Sequence, residues 1–231
     1  MTELVVALDV PSQRDALALV DRLDGEIDFF KVGLELYTRE GPGVVRALHG
    51  RGKRVFLDLK LYDIPNTVAK AVASASALEV ELLTIHTGGG RRMMEAAVGA
   101  AGSGLSLLGV TVLTSFDAPE LAEVWGRPVG DVEPEVVRLA RLAREAGLPG
   151  VVASPREAAV LRDALGPDAL IVTPGIRLLS DATDDQVRVA TPESAVSDGA
   201  THLVVGRPIR EAADPAAAAR RFVSALGGSR T

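Results

Sequence analysis

The stretch "RVFLDLKLYDIPNT", residues 54–67, reads for most of its length as a buried strand, yet it carries Asp58, Lys60 and Asp63 within six residues. Successive side chains of a strand point to opposite faces. Phe56, Asp58 and Lys60 therefore share one face, and Val55, Leu57 and Leu59 share the other. The second face suits packing beneath helices. The first turns from apolar to charged toward its C-terminal end. Buried ionised groups are costly unless they are paired, so such a strand belongs where its charges meet partners or a charged ligand. The C-terminal mouth of a parallel barrel is such a place, because active sites of that architecture sit there.

The rest of the chain agrees with a barrel. Short apolar runs at 4–9, 28–33, 54–60, 82–87, 105–113, 150–154, 170–175 and 202–206 read as eight strands. Amphipathic segments lie between them. Ser12 is placed to cap a helix that follows it. The segment at 133–147 has Pro134 near its start and Gly147 just past its end, the expected punctuation of a helix. Ser154 and Pro155 punctuate 154–166 in the same way, and "DPAAAARRFVSALGG" reads as a closing helix. Eight strands alternating with helices predict the α/β class and a single (β/α)8 TIM barrel, one domain over residues 1–231. A doubly wound open sheet usually places a glycine-rich turn after its first strand. The first run here ends "ALDVPSQ", without glycine. Apolar residues make up 47% of the 231 and aromatics only 3%, so the core must be aliphatic, as parallel strands covered by helices require.

Lys and Arg number 25 against 31 Asp and Glu, a net charge of −6. With no long basic run, this balance argues against a general nucleic-acid or membrane-surface binder, while leaving room for a local cationic pocket. The sequence contains no cysteine, which excludes disulfides, thiolate nucleophiles and cysteine-ligated metals. The three histidines, His49, His86 and His202, are scattered and give no metal-ligand spacing. The first ten residues do not resemble a signal peptide, and no apolar run approaches the roughly 20 residues of a membrane span. A soluble, cytoplasmic protein is expected.

Two further strands end on charge. Asp9 shares a face with Val5 and Ala7, and Lys31 shares one with Phe29. Asp9, Lys31, Asp58 and Lys60 are thus expected at a common mouth, with signs that compensate one another. Asp63 lies in the following loop. Pro65 fits the first position of the next helix, whose N-terminus favours negative charge, so Asp63 also suits a simple capping role.

At this point "DLKLYDIPNT" (58–67) resembles the Asp-x-Lys-x-x-Asp signature of the orotidine 5′-phosphate decarboxylase family in its bacterial form. The resemblance runs the length of the chain: "ALDV" (7–10), "FFKVGLELY" (29–37), "GVTVLTS" (109–115), "VTPGIR" (172–177), "DDQVRVATP" (184–192) and "DGATHLVVGRPI" (198–209). It implies a homodimer of (β/α)8 barrels that converts orotidine 5′-monophosphate to uridine 5′-monophosphate and carbon dioxide. That is the last step of de novo pyrimidine synthesis, run with neither metal nor organic cofactor. It implies Lys60 as proton donor to C6 of the pyrimidine and Asp58 beside the departing carboxylate. Asp63 would reach across the dimer interface into the neighbouring site, with Ile64 and Thr67 near it touching the substrate. Asp9 and Lys31 would touch the ribose and Thr114 the pyrimidine. Arg177, Gln186, Gly206 and Arg207 would hold the phosphate.

The chemistry such a reaction needs can be argued separately. Loss of carbon dioxide leaves a carbanion in the ring plane, poorly conjugated with the ring carbonyls, so electrostatics and a placed proton must carry the task. A carboxylate about 4 Å from the substrate carboxylate costs on the order of 4 kcal/mol at an effective dielectric near 20, and that repulsion ends as carbon dioxide leaves. The loops after strands 7 and 8 are the usual phosphate sites of these barrels, and "TPGIR" and "VGRPI" stand there with forked arginine donors. The polar segment "LLSDATDDQ" (178–186) is long enough to act as a lid. His86 is expected to be a hydrogen-bonded barrel residue, "GGG" (88–90) a strand-to-helix turn, and Trp125 a packing or loop anchor. Two rivals remain at this stage: a magnesium-dependent sugar-phosphate decarboxylase or synthase sharing the same signature, and a non-catalytic nucleotide sensor, which would be expected to have lost Lys60 or an aspartate.

Overall fold

The computed structural model describes residues 2–178 and 190–227. Eight parallel strands close on themselves: β1 (Glu3–Ala7), β2 (Phe29–Gly33), β3 (Arg54–Leu61), β4 (Leu82–His86), β5 (Ser106–Val110), β6 (Gly150–Val152), β7 (Leu170–Pro174) and β8 (His202–Val205). Each pairs with the next, and β8 returns to β1 with Val5 opposite Val204 and Val6 opposite Val205. Helices wrap the outside, giving the predicted (β/α)8 barrel. β1 is shorter than its apolar run, so Asp9 stands two residues past the strand's last residue, Ala7.

Local chemistry explains the helix starts. Ser12 Oγ accepts from the Asp15 amide at 3.1 Å and opens Gln13–Arg22. Pro65 begins Pro65–Ser76, Pro134 lies in the first turn of Glu133–Glu145, and Pro215 begins Pro215–Ala225. The helix expected over 154–166 is in two pieces, a 3₁₀ turn at Pro155–Glu157 and an α-helix at Ala158–Leu165. The Glu157 carboxylate folds back on the Ser154 amide at 2.8 Å, and this tight capping box winds the first turn more closely. Two short helices, Leu34–Glu40 and Gly43–His49, fill the space between β2 and β3 where no single helical period runs. Gly41 separates them at φ 61°, and Pro42 follows.

The barrel interior is layered. At the N-terminal end of the strands Arg54 pairs with Glu3 and Glu81 and lies 4.2 Å over the Phe29 ring. His202 is buried beside them, its Nδ1 2.9 Å from Thr201 Oγ1. Above this plug Val5, Phe29, Phe56, Leu82, Leu108 and Val172 form an apolar inner core, distinct from the larger core between strands and helices. The charged residues of the opposite mouth rest on that inner layer. No helix among the described residues is long and apolar enough to cross a membrane.

Candidate active site

At the C-terminal mouth the four expected residues form one line of alternating charge. Lys31 Nζ stands 3.0 Å from Asp9 Oδ1 and 3.6 Å from Asp58 Oδ2. Lys60 Nζ stands 2.8 Å from both oxygens of Asp58. The Asp58 side chain is only 13% exposed and that of Lys31 10%, so each ion compensates a neighbour's desolvation. Burial alone would raise the Asp58 carboxyl. Lys31 and Lys60, with hydrogen bonds from Lys60 and Thr84, outweigh it and hold the group below its ordinary 3.8. Gly33 serves the same line. A Cβ there would lie 2.9 Å from Lys31 Nζ and 3.2 Å from Asp9 Oδ1, so the missing side chain leaves space for the ion pair.

Strict alternation along β3 fails at Lys60. From the pair Leu57–Leu83 to the pair Leu61–Ile85, β3 advances four residues while β4 advances two. The excess forms a bulge, a common device for aiming a side chain next to an active site. Lys60 takes φ 49°, in the left-handed region that costs a residue with a Cβ about 1–2 kcal/mol. Its amide leaves the strand ladder and donates to Thr84 Oγ1 at 2.8 Å, while the Thr84 hydroxyl donates to Asp58 Oδ1 at 2.9 Å. Thr84 is buried on β4. Sequence reading did not single it out, since threonine is an ordinary strand residue; its even spacing from Leu82 and His86 on one face was the available signal.

A cavity of about 330 Å³ opens over this line. Asp9, Lys31, Asp58, Lys60 and Thr114 line one part of it, and Val110, Val112, Val152, Val172 and Val204 another. Convergent charged groups beside apolar lining suit a small ligand that carries charge. Among the described residues Arg177 and Arg207 do not line this cavity. Arg177 is half-buried after β7, and its side chain donates to the Ile176 carbonyl. Arg207 is exposed after β8. Gly206 stands at the rim, where a Cβ would lie 3.7 Å from Asp9 Oδ2. Gln186 and, apart from Leu178, the segment expected to form a lid lie outside the described residues.

Asp63, Ile64 and Thr67 are exposed and do not line this chain's cavity. Asp63 Oδ1 accepts from the neighbouring Ile64 amide at 2.6 Å, and no side chain caps the helix at Pro65–Ser76, so the simple capping role is not what Asp63 performs. Tyr62 and Ile64 flank it at 64% and 66% exposure. His86 differs from expectation. Among the described residues its ring packs 5.7 Å from the Tyr62 ring and takes no side-chain hydrogen bond; burial and Lys60 push it below 6.5 against the opposing effect of Asp58. The glycines at 88–90 do form a strand-to-helix turn, and Trp125 lies under the guanidinium groups of Arg127 and Arg138. A second cavity, about 290 Å³ and lined in part by Arg144, Pro149 and Asp168, lies at the other end of the strands and holds none of these residues.

Comparison with known proteins agrees with this geometry. The profile of the family described as "Orotidine 5'-phosphate decarboxylase / HUMPS family" matches residues 2–222. An orotidine 5′-phosphate decarboxylase of Opitutus terrae is 53% identical over 227 residues, 97% of this chain and 98% of that protein. One from Chromohalobacter salexigens is 52% identical over 222 residues, 94% of this chain and 92% of that protein. Among solved structures, orotidine 5′-phosphate decarboxylase from Lactobacillus acidophilus superposes with a TM-score of 0.87 at 33% identity, covering 99% of this chain and all of that one. The enzyme from Pyrococcus horikoshii gives 0.81 at 26% identity, covering 98% of this chain. The chain belongs to the orotidine 5′-phosphate decarboxylase / HUMPS family.

Proposed function

We infer that this member of the family is a carboxy-lyase that converts orotidine 5′-monophosphate to uridine 5′-monophosphate and carbon dioxide, the reaction named for its relatives. The observation that carries the reading is the line Asp9–Lys31–Asp58–Lys60 at 2.8–3.6 Å spacings beneath a partly apolar cavity. The pyrimidine lies over Lys60 with its carboxylate toward Asp58. The bond from C6 to the carboxylate breaks, its electron pair stays on C6, and the Lys60 ammonium gives C6 a proton. The resulting amine is reprotonated from water. Lys60 attracts the developing carbanion more than it attracts the ground state, which is the condition for acceleration. Asp58 repels the substrate carboxylate until carbon dioxide departs.

In this reading Asp9 and Lys31 hold the ribose and Thr114 the ring, while Arg177, Gln186, Gly206 and Arg207 take the phosphate after β7 and β8. The active form is a homodimer in which Asp63, Ile64 and Thr67 enter the neighbouring site; the exposed Tyr62–Asp63–Ile64 segment supports this arrangement. The reaction needs neither metal nor organic cofactor, and the protein works in the cytoplasm as a single-domain barrel. The test is the fall in ultraviolet absorbance on adding orotidine 5′-monophosphate, with and without EDTA. Turnover unaffected by EDTA is expected. Absence of turnover, or its loss on chelation, would overturn the reading in favour of the magnesium-dependent relatives.

A further inference from the structure

We propose that Thr84 is a positioning residue for the decarboxylation: its hydroxyl holds the Lys60 backbone in its left-handed turn and fixes the Asp58 carboxylate beneath the Lys60 ammonium. This rests on the reading of the site given above and extends it to a residue that does not line the cavity. A hydroxyl has one proton. Lys60 N donates to Thr84 Oγ1, so that proton is free to go to Asp58 Oδ1, which as a carboxylate oxygen can only accept. The order Lys60 amide, Thr84 hydroxyl, Asp58 carboxylate, Lys60 ammonium is then a closed ring in which each direction is determined.

The bulge makes the ring necessary. Arg54, an even number of residues earlier on β3, donates its amide toward β2, to the Asp28 carbonyl at 2.7 Å; strict alternation would aim the Lys60 amide the same way, and the bulge turns it toward β4, where Thr84 Oγ1 accepts it. Without the Thr84 hydroxyl the part-buried Lys60 amide would lose its acceptor, and Lys60 would lose the restraint at φ 49°. Catalytic geometry tolerates only small displacements of the proton donor. Thr84 is 1% exposed, and water does not replace its hydroxyl readily. The ionisable groups around Asp58 are Lys31 on β2, Lys60 on β3 itself, His86 on β4 and, beyond Lys31, Asp9 after β1.

Thr84→Val keeps the shape and removes the hydroxyl, and Thr84→Ser keeps the hydroxyl. Loss of hydrogen bonds to a charged group and to a part-buried amide is expected to lower kcat about 10- to 100-fold in Thr84→Val. KM and the affinity for uridine 5′-monophosphate should stay within about threefold, as for an interaction felt mainly in the transition state. Thr84→Ser should recover kcat to within about threefold of the wild type. In the ligand-free protein the carbon-13 carboxyl signal of Asp58 should titrate at higher pH in Thr84→Val and return in Thr84→Ser. If the valine variant does not fold, Thr84→Ala carries the same readings. An unchanged kcat, a serine variant as impaired as valine, or an unshifted Asp58 titration would overturn the proposal. A wild type that leaves orotidine 5′-monophosphate untouched would sink the substrate reading instead, while the titration would still decide the role of Thr84.

Discussion

Lys60 Nζ sits 2.8 Å from each oxygen of Asp58, so the ammonium bridges the carboxylate symmetrically and is aimed by it. The Asp58 carboxyl is held below 3.8, which keeps Asp58 charged throughout the neutral range. Lys60→Ala should lower kcat by about 10³-fold or more, at or above the upper part of the range for a positioned proton donor. Its affinity for uridine 5′-monophosphate, measured by calorimetry, should change by less than about tenfold, since the phosphate end is untouched. Substantial residual decarboxylation would contradict the proton-donor role.

Gly33→Ala tests how tightly the line of charges is confined. The new Cβ would meet the tip of Lys31 at 2.9 Å, and a flexible ammonium can move aside. The fold should persist, with its urea midpoint close to that of the wild type. Turnover should fall about tenfold, because a displaced Lys31 no longer spans Asp9 and Asp58. A variant as active as the wild type would show that the Lys31 position is not critical.

A shared site predicts complementation. Lys60→Ala and Asp63→Ala proteins should each be nearly inactive. After mixing and subunit exchange, half of the dimers are hybrids, and each hybrid holds one intact site, so roughly a quarter of wild-type activity should return. Failure to recover, with exchange verified by mass spectrometry, would place Asp63 outside the neighbouring site.

Buried His202 makes stability depend on acid. Burial lowers it below 6.5, against Glu3 and Glu81 and with Arg54. Between its folded value and 6.5 the unfolded chain therefore holds a proton that the native protein does not, so acidification favours unfolding. The contribution is fully present above 6.5 and is lost as the pH falls from 6.5 through the lower folded value. Urea midpoints should decline from pH 7 to pH 5, and His202→Gln should flatten part of the decline. An identical slope in the variant would exclude His202 as its source.

The barrel was legible because two periodicities were unambiguous: eight apolar runs of strand length, and proline or serine punctuation at helix starts. Lys31 and Asp58 were legible because charge on the inward face of a strand needs a reason; the same alternation pointed to Asp9 and Lys60, although Asp9 stands past the end of β1 and the alternation breaks at Lys60. The bulge was not, since it depends on how β3 registers against β4, and neither strand alone encodes the other's step. Thr84 was hidden by the same fact. Its hydroxyl becomes informative only once the bulge has turned the Lys60 amide toward β4. At the rim, Arg177 and Arg207 follow β7 and β8 as their sequence positions imply, but their distance from the cavity depends on loop paths that composition does not specify.

The apolar layer of Val5, Phe29, Phe56, Leu82, Leu108 and Val172 lies between two sets of ions. The lower set, Arg54 with Glu3 and Glu81, ties the strands together, and the upper set lines the candidate cavity. Insulated in this way, the two ends of the barrel can be altered separately. The lower ion pairs can be exchanged for apolar side chains in pursuit of heat resistance, and the reaction at the upper end would continue at its former rate.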